Sequence, residues 1–419
     1  MSRKVFISFL GTGNYTVVDY QMNDLPPFRT KYIQIASFNY LCSDFNENDK
    51  ILIFTTPTAK RTNWDDNGHT DRETKEVKPN KGLCTCFREL GVNIDSIEIK
   101  EGKQEDEIWD IFQTVFAQLN ENDEIIFDIT HSFRTIPMLT MVLINYAKFL
   151  LNVKIKGIFY GAYDVAGDIK PIWDITAFSE LQDWTIAAAN YIQFGHAKSL
   201  KELSQNEVLP ILRSNIHENK TLAQDLFLFA KSLETVSDAL ATNRGTQIFE
   251  ARIFKNLNEN IEKIKGSNLI PPLTPIIQKI REKTSIFNEY PNALNGFNAV
   301  EWCLDHNLIP QGYTMLQESI FTFYCDKLGK DYKLLNDRDF IKEAFHNINF
   351  KKMPKNDEMD EAMKVITNEM ASIYESLTQD RNDINHGGFT RTNNPENLRS
   401  NLKKKFNEVV LLITQHNKI

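Results

Sequence analysis

The chain has no apolar run near the roughly 20 residues that would span a bilayer. A membrane-spanning helix is therefore not expected, and neither is a membrane partner. Cysteine is scarce: Cys42, Cys84, Cys86, Cys303 and Cys325 are odd in number and irregularly spaced. That excludes a disulfide framework. Cys84-Thr85-Cys86 is too tight for a C-x2-C zinc knuckle, and no second pair completes it. The five read as reduced thiols, mostly buried, so a cytoplasmic location is expected. An excess of positive charge is also missing. The net charge of −8 argues against broad electrostatic binding of nucleic acid but leaves room for a local basic groove. There is no P-loop, no complete G-x-G-x-x-G, no internal repeat and no long low-complexity tract.

What is present is ordinary globular composition, 42% hydrophobic and 25% charged over 419 residues. At about 100–200 residues per domain this allows two or three domains. Val5–Leu10 is too short for a signal segment and ends at Gly11, so it reads as a first strand. Further strand patterns follow at Lys50–Thr56, Ile94–Lys100, Asp123–Thr130 and Val153–Tyr160, with helical patterns over Glu105–Leu119 and Ser132–Leu151. Strands alternating with helices predict a mainly parallel α/β sheet with helices on both faces. From about Ala177 the 3.6-residue period dominates, as in Thr221–Ala239, Ala299–His306, Tyr313–Tyr324 and Glu358–Leu377. A boundary near residue 180 is expected, with an all-α second half. The polar segment 60–82 reads as an exposed, mobile insertion, and Lys403-Lys404-Lys405 as a solvated helix face.

In parallel sheets ligands bind beyond the carboxyl ends of the strands. That rule selects Gly11, Thr12, Gly13, Asn14 and Tyr15 after the first strand, and Thr55 and Thr56 at the end of the second. It also selects Asp128, Thr130, His131, Ser132, Phe133 and Arg134 after a strongly apolar strand, and Gly161 after the next. Gly11-Thr12-Gly13 is either a tight turn or a backbone cradle for a phosphate. Asp128–Arg134 is either a helix cap, with Thr130 or Ser132 capping and Asp128 bonded to His131, or the edge of a polyanionic, nucleotide-like site. Asp128 and His131 alone do not make a metal site, and no metal is expected. Late in the chain, Arg381 and His386 are separated by four residues, with Asn382 directly after the arginine. Arginine forks onto phosphate and histidine moves protons near neutrality, the two abilities that metal-free RNA cleavage requires. The other reading of this segment is a solvated helix end.

These motifs occur in order: Gly-Thr-Gly-x-Tyr from Gly11, Asp-x-Thr-His-Ser-Phe-Arg-x-x-Pro from Asp128 to Pro137, Gln311 to Glu318, and Arg381-Asn382-x-x-x-His386. Together they resemble the type III CRISPR-associated CARF–HEPN effector ribonucleases, in particular the branch with an Asp-x-Thr-His-Gly signature. Ser132 stands where that signature has Gly. The resemblance covers essentially the whole chain and implies three regions. Residues 1–180 would form a Rossmann-like CARF domain that senses a cyclic oligoadenylate, 181–290 a helical coupling region, and 291–419 a HEPN domain that cuts single-stranded RNA. It further implies a homodimer or higher homo-oligomer, with Arg381, Asn382 and His386 of both subunits in one composite catalytic site. Cyclic tetra-adenylate is the favoured ring and cyclic hexa-adenylate the other candidate. Slow cleavage of the ring by the CARF domain itself, near Thr12, Thr130 and His131, stays open. Two other readings compete: a catalytically silent nucleotide sensor acting through a partner protein, and an NAD(P) enzyme. The missing third glycine and the lack of an acidic residue after the second strand count against the latter.

Overall fold

The structure is a computed structural model that describes residues 2–71, 73–131, 136–213, 220–264, 273–389 and 394–416. It divides into two compact units, Met1–Glu180 and Leu181–Ile419.

Among its described residues the first unit holds ten strands: β1 (Lys4–Leu10), β2 (Val18–Met22), β3 (Phe28–Thr30), β4 (Lys50–Thr55), β5 (His69–Thr70), β6 (Val77–Lys78), β7 (Ile97–Glu98), β8 (Glu124–Asp128), β9 (Lys154–Gly161) and β10 (Ile169–Asp174). Its helices are α1 (Ile33–Leu41), the short α2 (Pro57–Ala59), α3 (Leu83–Glu89), α4 (Glu105–Phe116) and α5 (Ile136–Leu151). Eight strands form one sheet in the order β3-β2-β10-β9-β8-β1-β4-β7. Five of its seven pairings are parallel and two, β10 with β9 and β2 with β3, are antiparallel. The sheet is therefore mixed at one end.

Side-chain alternation along β1 shows why it lies at the centre. Val5, Ile7 and Phe9 point into one core with Phe112 and Val115 of α4 and Leu143 and Ile144 of α5. Phe6 and Leu10 point into another with Ile33 and Ala36 of α1 and Leu83 and Phe87 of α3. A strand buried on both faces reads as a continuous apolar run, as β1, β4 and β8 do, while β9 is buried only from Gly157 on, past the exposed Lys154 and Lys156. The strands β2, β3 and β10 escaped the sequence reading for the opposite reason. They are short or half exposed, and β10 contains Pro171, which argues locally against a strand. The expected strand Ile94–Lys100 shrinks to Ile97–Glu98.

Segment 60–82 also departs from expectation. Lys60–Trp64 continues α2 as a π-helix, and Asn63 and Trp64 are buried. β5 and β6 then form a hairpin. A tryptophan in a polar stretch marked this burial, because its large apolar ring seeks a core.

The second unit is helical among the described residues. It comprises α6 (Ala177–Phe194, whose first turn contains the division), α7 (Lys198–Arg213), α8 (Lys220–Ala241), α9 (Gly245–Glu250), α10 (Arg252–Ile264), α11 (Leu273–Thr284), α12 (Leu294–Asp305), α13 (Ile309–Lys327), α14 (Leu335–Asn349), α15 (Asp357–Val365), α16 (Asn368–Asn385) and α17 (Pro395–His416). One continuous core runs from Trp184 through Leu233, Phe254, Trp302 and Tyr324 to Ile413. Helix α13 is its axis, buried almost all round from Gly312 to Cys325 and packed on α12, α14, α16 and α17. A Cβ on Gly312 would stand 2.6 Å from Leu402 Cδ2 on α17, so the glycine permits that close approach. The single helix expected over Glu358–Leu377 is two. Thr367 turns extended and its Oγ1 accepts from Met370 N at 3.1 Å, starting α16 afresh.

The candidate ligand cavity and the arginine seam

In the first unit a cavity of about 310 Å³ opens beyond the strand ends. Gly11, Thr12, Gly13, Tyr15, Thr56, Thr130 and His131 line it, over an apolar floor of Phe9, Phe54 and Ile99. The structure thus gathers loop residues from β1, β4 and β8 at one place.

The turn after β1 is held from both sides. Asn63 donates from Nδ2 to the Gly11 and Gly13 carbonyls, each at 2.9 Å. Both amide hydrogens are used, so Asn63 Oδ1 accepts from His69 Nε2 at 2.9 Å. Tyr15 packs beneath: a Cβ on Gly11 would lie 2.4 Å from its hydroxyl, and one on Gly13 would lie 3.1 Å from its ring. Glycine is needed there for close approach rather than for an unusual φ. Burial pushes the Tyr15 phenol well above its ordinary value. The Tyr15 ring stacks on His131 with centroids 4.3 Å apart. Burial lowers His131 to about 4, so its imidazole is neutral at pH 7. Its Nε2 is buried with no partner among the described residues.

Asp128 has a supporting role. It is fully buried and accepts from Ser8 Oγ (3.0 Å), Thr130 N (3.1 Å) and Thr130 Oγ1 (2.6 Å). Burial raises its carboxyl above the usual range, against the pull of the Thr130 and Ser8 hydrogen bonds. Thr130 Oγ1 in turn accepts from Gly161 N at 2.7 Å. The chain Ser8–Asp128–Thr130–Gly161 therefore stitches β1, β8 and β9 together under the cavity. This takes the place of the Asp128–His131 bond considered from sequence, while the capping partners considered for Thr130 and Ser132 lie outside the described residues. Thr55 is buried and donates to Ser96 Oγ at 3.1 Å, while Thr56 accepts from Ala59 N at 3.2 Å. Asn14 is exposed, and it, Thr55, Asp128 and Gly161 do not line the cavity. Ser132, Phe133 and Arg134 lie outside the described residues.

In the second unit Arg381 sits in the seam between α13 and α16. Its Nη1 donates to Gln317 Oε1 at 2.6 Å. Next to it, Asp380 Oδ2 accepts from Tyr313 OH (3.1 Å) and Lys405 Nζ (2.5 Å), fastening α16 to α13 and α17. Lys405 is thus a half-buried ion-pair partner across helices, whereas the exposed Lys404 pairs along its own helix with Glu408 at 3.9 Å. Asn382 and His386 are exposed. His386 caps the end of α16, where Gly387 N bonds to Ile384 O at 3.0 Å and Gly388 N to Asp383 O at 2.9 Å. Both glycines have positive φ, +65° and +75°. This double bond pattern is a Schellman stop, and it sets where the histidine leaves the helix. A cavity of about 510 Å³ adjoins this turn, lined among others by Asp383, Gly387, Gly388, Pro310 and Arg399.

Sequence reading missed Ser8, Asn63, His69 and Ile99 around the first cavity. Asn63 and His69 sat inside a segment taken as solvent, and Ser8 inside an apolar strand. A lone serine between Ile7 and Phe9 was the available signal. Among the described residues no group of three or more His, Cys, Asp or Glu side chains is placed to hold a metal ion, and no helix is long and apolar enough to cross a membrane.

Residues 5–164 match the family model described as CRISPR system endoribonuclease Csx1, CARF domain. The N-terminal unit is a CARF domain. The cavity just described, from Phe9 to His131, falls wholly within the matched span of this domain. The chain is also 27% identical over 321 residues to the CRISPR-associated protein MJ1674 of Methanocaldococcus jannaschii, covering 71% of this chain and 44% of that relative. It thus spans less than half the length of the relative it matches. The helical unit that carries Arg381 and His386 follows later in the chain.

Proposed function

We propose that this chain is a type III CRISPR accessory endoribonuclease, switched on when its CARF domain binds a cyclic oligoadenylate. The observation that carries the reading is the coincidence of the matched CARF span with a cavity at the strand ends. There the Gly11–Gly13 backbone, Thr130 and a neutral His131 converge. Backbone amides and neutral side chains suit a ring of phosphates and adenines. Residues 181–290 serve as the coupling region and 291–419 as a HEPN nuclease domain.

Cleavage of single-stranded RNA begins with attack of a 2′-hydroxyl on the adjacent phosphorus. The 5′-oxygen leaves, giving a cyclic phosphate and a 5′-hydroxyl. Arg381 stabilises the charge on the phosphoryl oxygens, His386 transfers the proton, and Asn382 orients the phosphate. No metal is invoked. Arg381 and His386 stand five residues apart, a rotation of about 140° around a helix, so one chain does not present both on one face. That supports a site completed by a second copy of the chain in a homodimer, whose two-fold axis also suits a symmetric ring.

The test is direct. Purified chain is incubated with labelled single-stranded RNA, with and without cyclic tetra- or hexa-adenylate. Cleavage that depends on one ring, and disappears in Arg381→Ala and in His386→Ala while ring binding persists, is the expected result. Ring binding with no cleavage under any condition would leave a silent sensor instead.

A further inference from the structure

The nitrogens of the Arg381 guanidinium are unequally engaged. Nη1 donates to Gln317 Oε1 at 2.6 Å. Nε is buried and has no partner among the described residues. Buried N–H groups seldom go without an acceptor, so such a group marks a place where a ligand atom belongs. Gln317 occupies one of the two Nη1 hydrogens, while the Nε–Nη2 edge presents two parallel N–H groups, the geometry that grips two oxygens of one phosphate.

Gln317 is itself locked. It is 3% exposed. Its Nε2 donates to Tyr374 OH at 2.8 Å and to Thr378 Oγ1 at 2.9 Å. The Thr378 hydroxyl proton goes to Tyr374 O at 3.0 Å, which leaves an oxygen lone pair for the amide. Reversing the amide would set its N–H groups against the guanidinium, donor against donor, so Oε1 must face Arg381. Tyr374, Thr378 and Arg381 follow the i, i+4, i+7 spacing of one helix face. The Tyr374 ring is wedged against Phe345 and Phe321, with centroids 4.6 and 5.1 Å away. A buried glutamine on α13 thus bonds three positions on one face of α16.

We infer that Gln317 is a positioning residue for RNA cleavage: it takes Arg381 by Nη1 and turns the Nε–Nη2 edge toward the scissile phosphate. The inference rests on Arg381 being the phosphate-binding group.

Gln317→Met keeps the length of the side chain and removes the amide. Assayed with saturating cyclic tetra-adenylate, and in parallel cyclic hexa-adenylate, its kcat should fall about 10- to 100-fold while KM for RNA moves less than about twofold. Gln317→Glu returns an oxygen to Arg381 and should recover part of the loss. A purely structural role would not give that recovery, because the glutamate buries a charge. A folded Gln317→Met enzyme with wild-type kcat overturns the inference. If Gln317→Met does not fold, Tyr374→Phe and Thr378→Val decide. Each loosens one end of the amide and should lower kcat by about threefold or more at unchanged KM, and wild-type kcat in both overturns it. Arg381→Ala, run alongside, separates the two possible failures. Wild-type cleavage by Arg381→Ala refutes the assignment of Arg381 and the inference with it. An inactive Arg381→Ala beside a fully active Gln317→Met refutes the positioning role alone.

Discussion

The two candidate sites are built on opposite principles. The CARF cavity is assembled from backbone and neutral groups: a glycine turn, a hydroxyl, and an imidazole that burial keeps uncharged. Its carboxylate, Asp128, is withdrawn beneath the floor and spent on hydrogen bonds within the sheet. The helical unit offers an arginine with an unsatisfied N–H and a histidine standing in solvent at a helix end. A site that must hold a ligand gains from rigid, uncharged walls. A site that must change charge during a reaction keeps groups in reserve. On the function proposed above, the same chain carries one of each.

The contrast breaks most sharply at Arg381. Arg381→Ala should lower RNA cleavage by about a thousandfold or more and leave ring binding within error, measured by cleavage kinetics and by titration with labelled ring. On the other side, Gly11→Ala forces a Cβ to within 2.4 Å of the Tyr15 hydroxyl. The Tyr15 ring, stacked on His131 at the cavity wall, must then shift, so ring affinity should drop about tenfold or more. RNA cleavage at saturating ring should recover. Loss of cleavage that added ring does not restore would contradict the division of labour.

The neutral imidazole gives a pH test. His131 falls from an ordinary 6.5 to about 4 in the folded chain. The unfolded chain therefore binds the proton more readily, and folding stability from this residue is complete above pH 6.5. It is lost as pH falls from 6.5 toward 4, by about 3 kcal/mol in all. Urea unfolding of the wild type and of His131→Phe at several pH values isolates the effect: the gap between them should change across that window and nowhere else. Parallel curves would mean that His131 is not held neutral. The smallest effect is expected at the helix stop. Gly387→Ala places a side chain at φ +65°, which costs about 1 kcal/mol. It should also slow cleavage, because His386 leaves the helix through that turn. Thermal unfolding and kcat read the two consequences separately.

How much of this was legible follows from burial. β1, β4 and β8 announce themselves as apolar runs because both faces are covered, and β9 through its buried second half. The glycine turn and Thr130-His131 were found by the rule that ligands sit at strand ends. β10 was hidden because Pro171 and an exposed face mask it. Asn63 was hidden because its work is to bond two carbonyls 50 and 52 residues away in sequence, and no local pattern encodes that. Gln317 stood in a recognised motif, yet its role depends on Tyr374, Thr378 and Arg381 arriving from another helix. Long-range hydrogen bonds between helices leave no periodicity to read.

The central claim is that a ring bound at the CARF domain controls the Arg381 chemistry. Single-turnover cleavage of labelled RNA by purified chain, with and without cyclic tetra- or hexa-adenylate, tests it most directly. The account predicts negligible cleavage without ring and rapid, Arg381-dependent cleavage with one of them. Equal cleavage with and without ring, or ring-stimulated cleavage that survives Arg381→Ala, would contradict it.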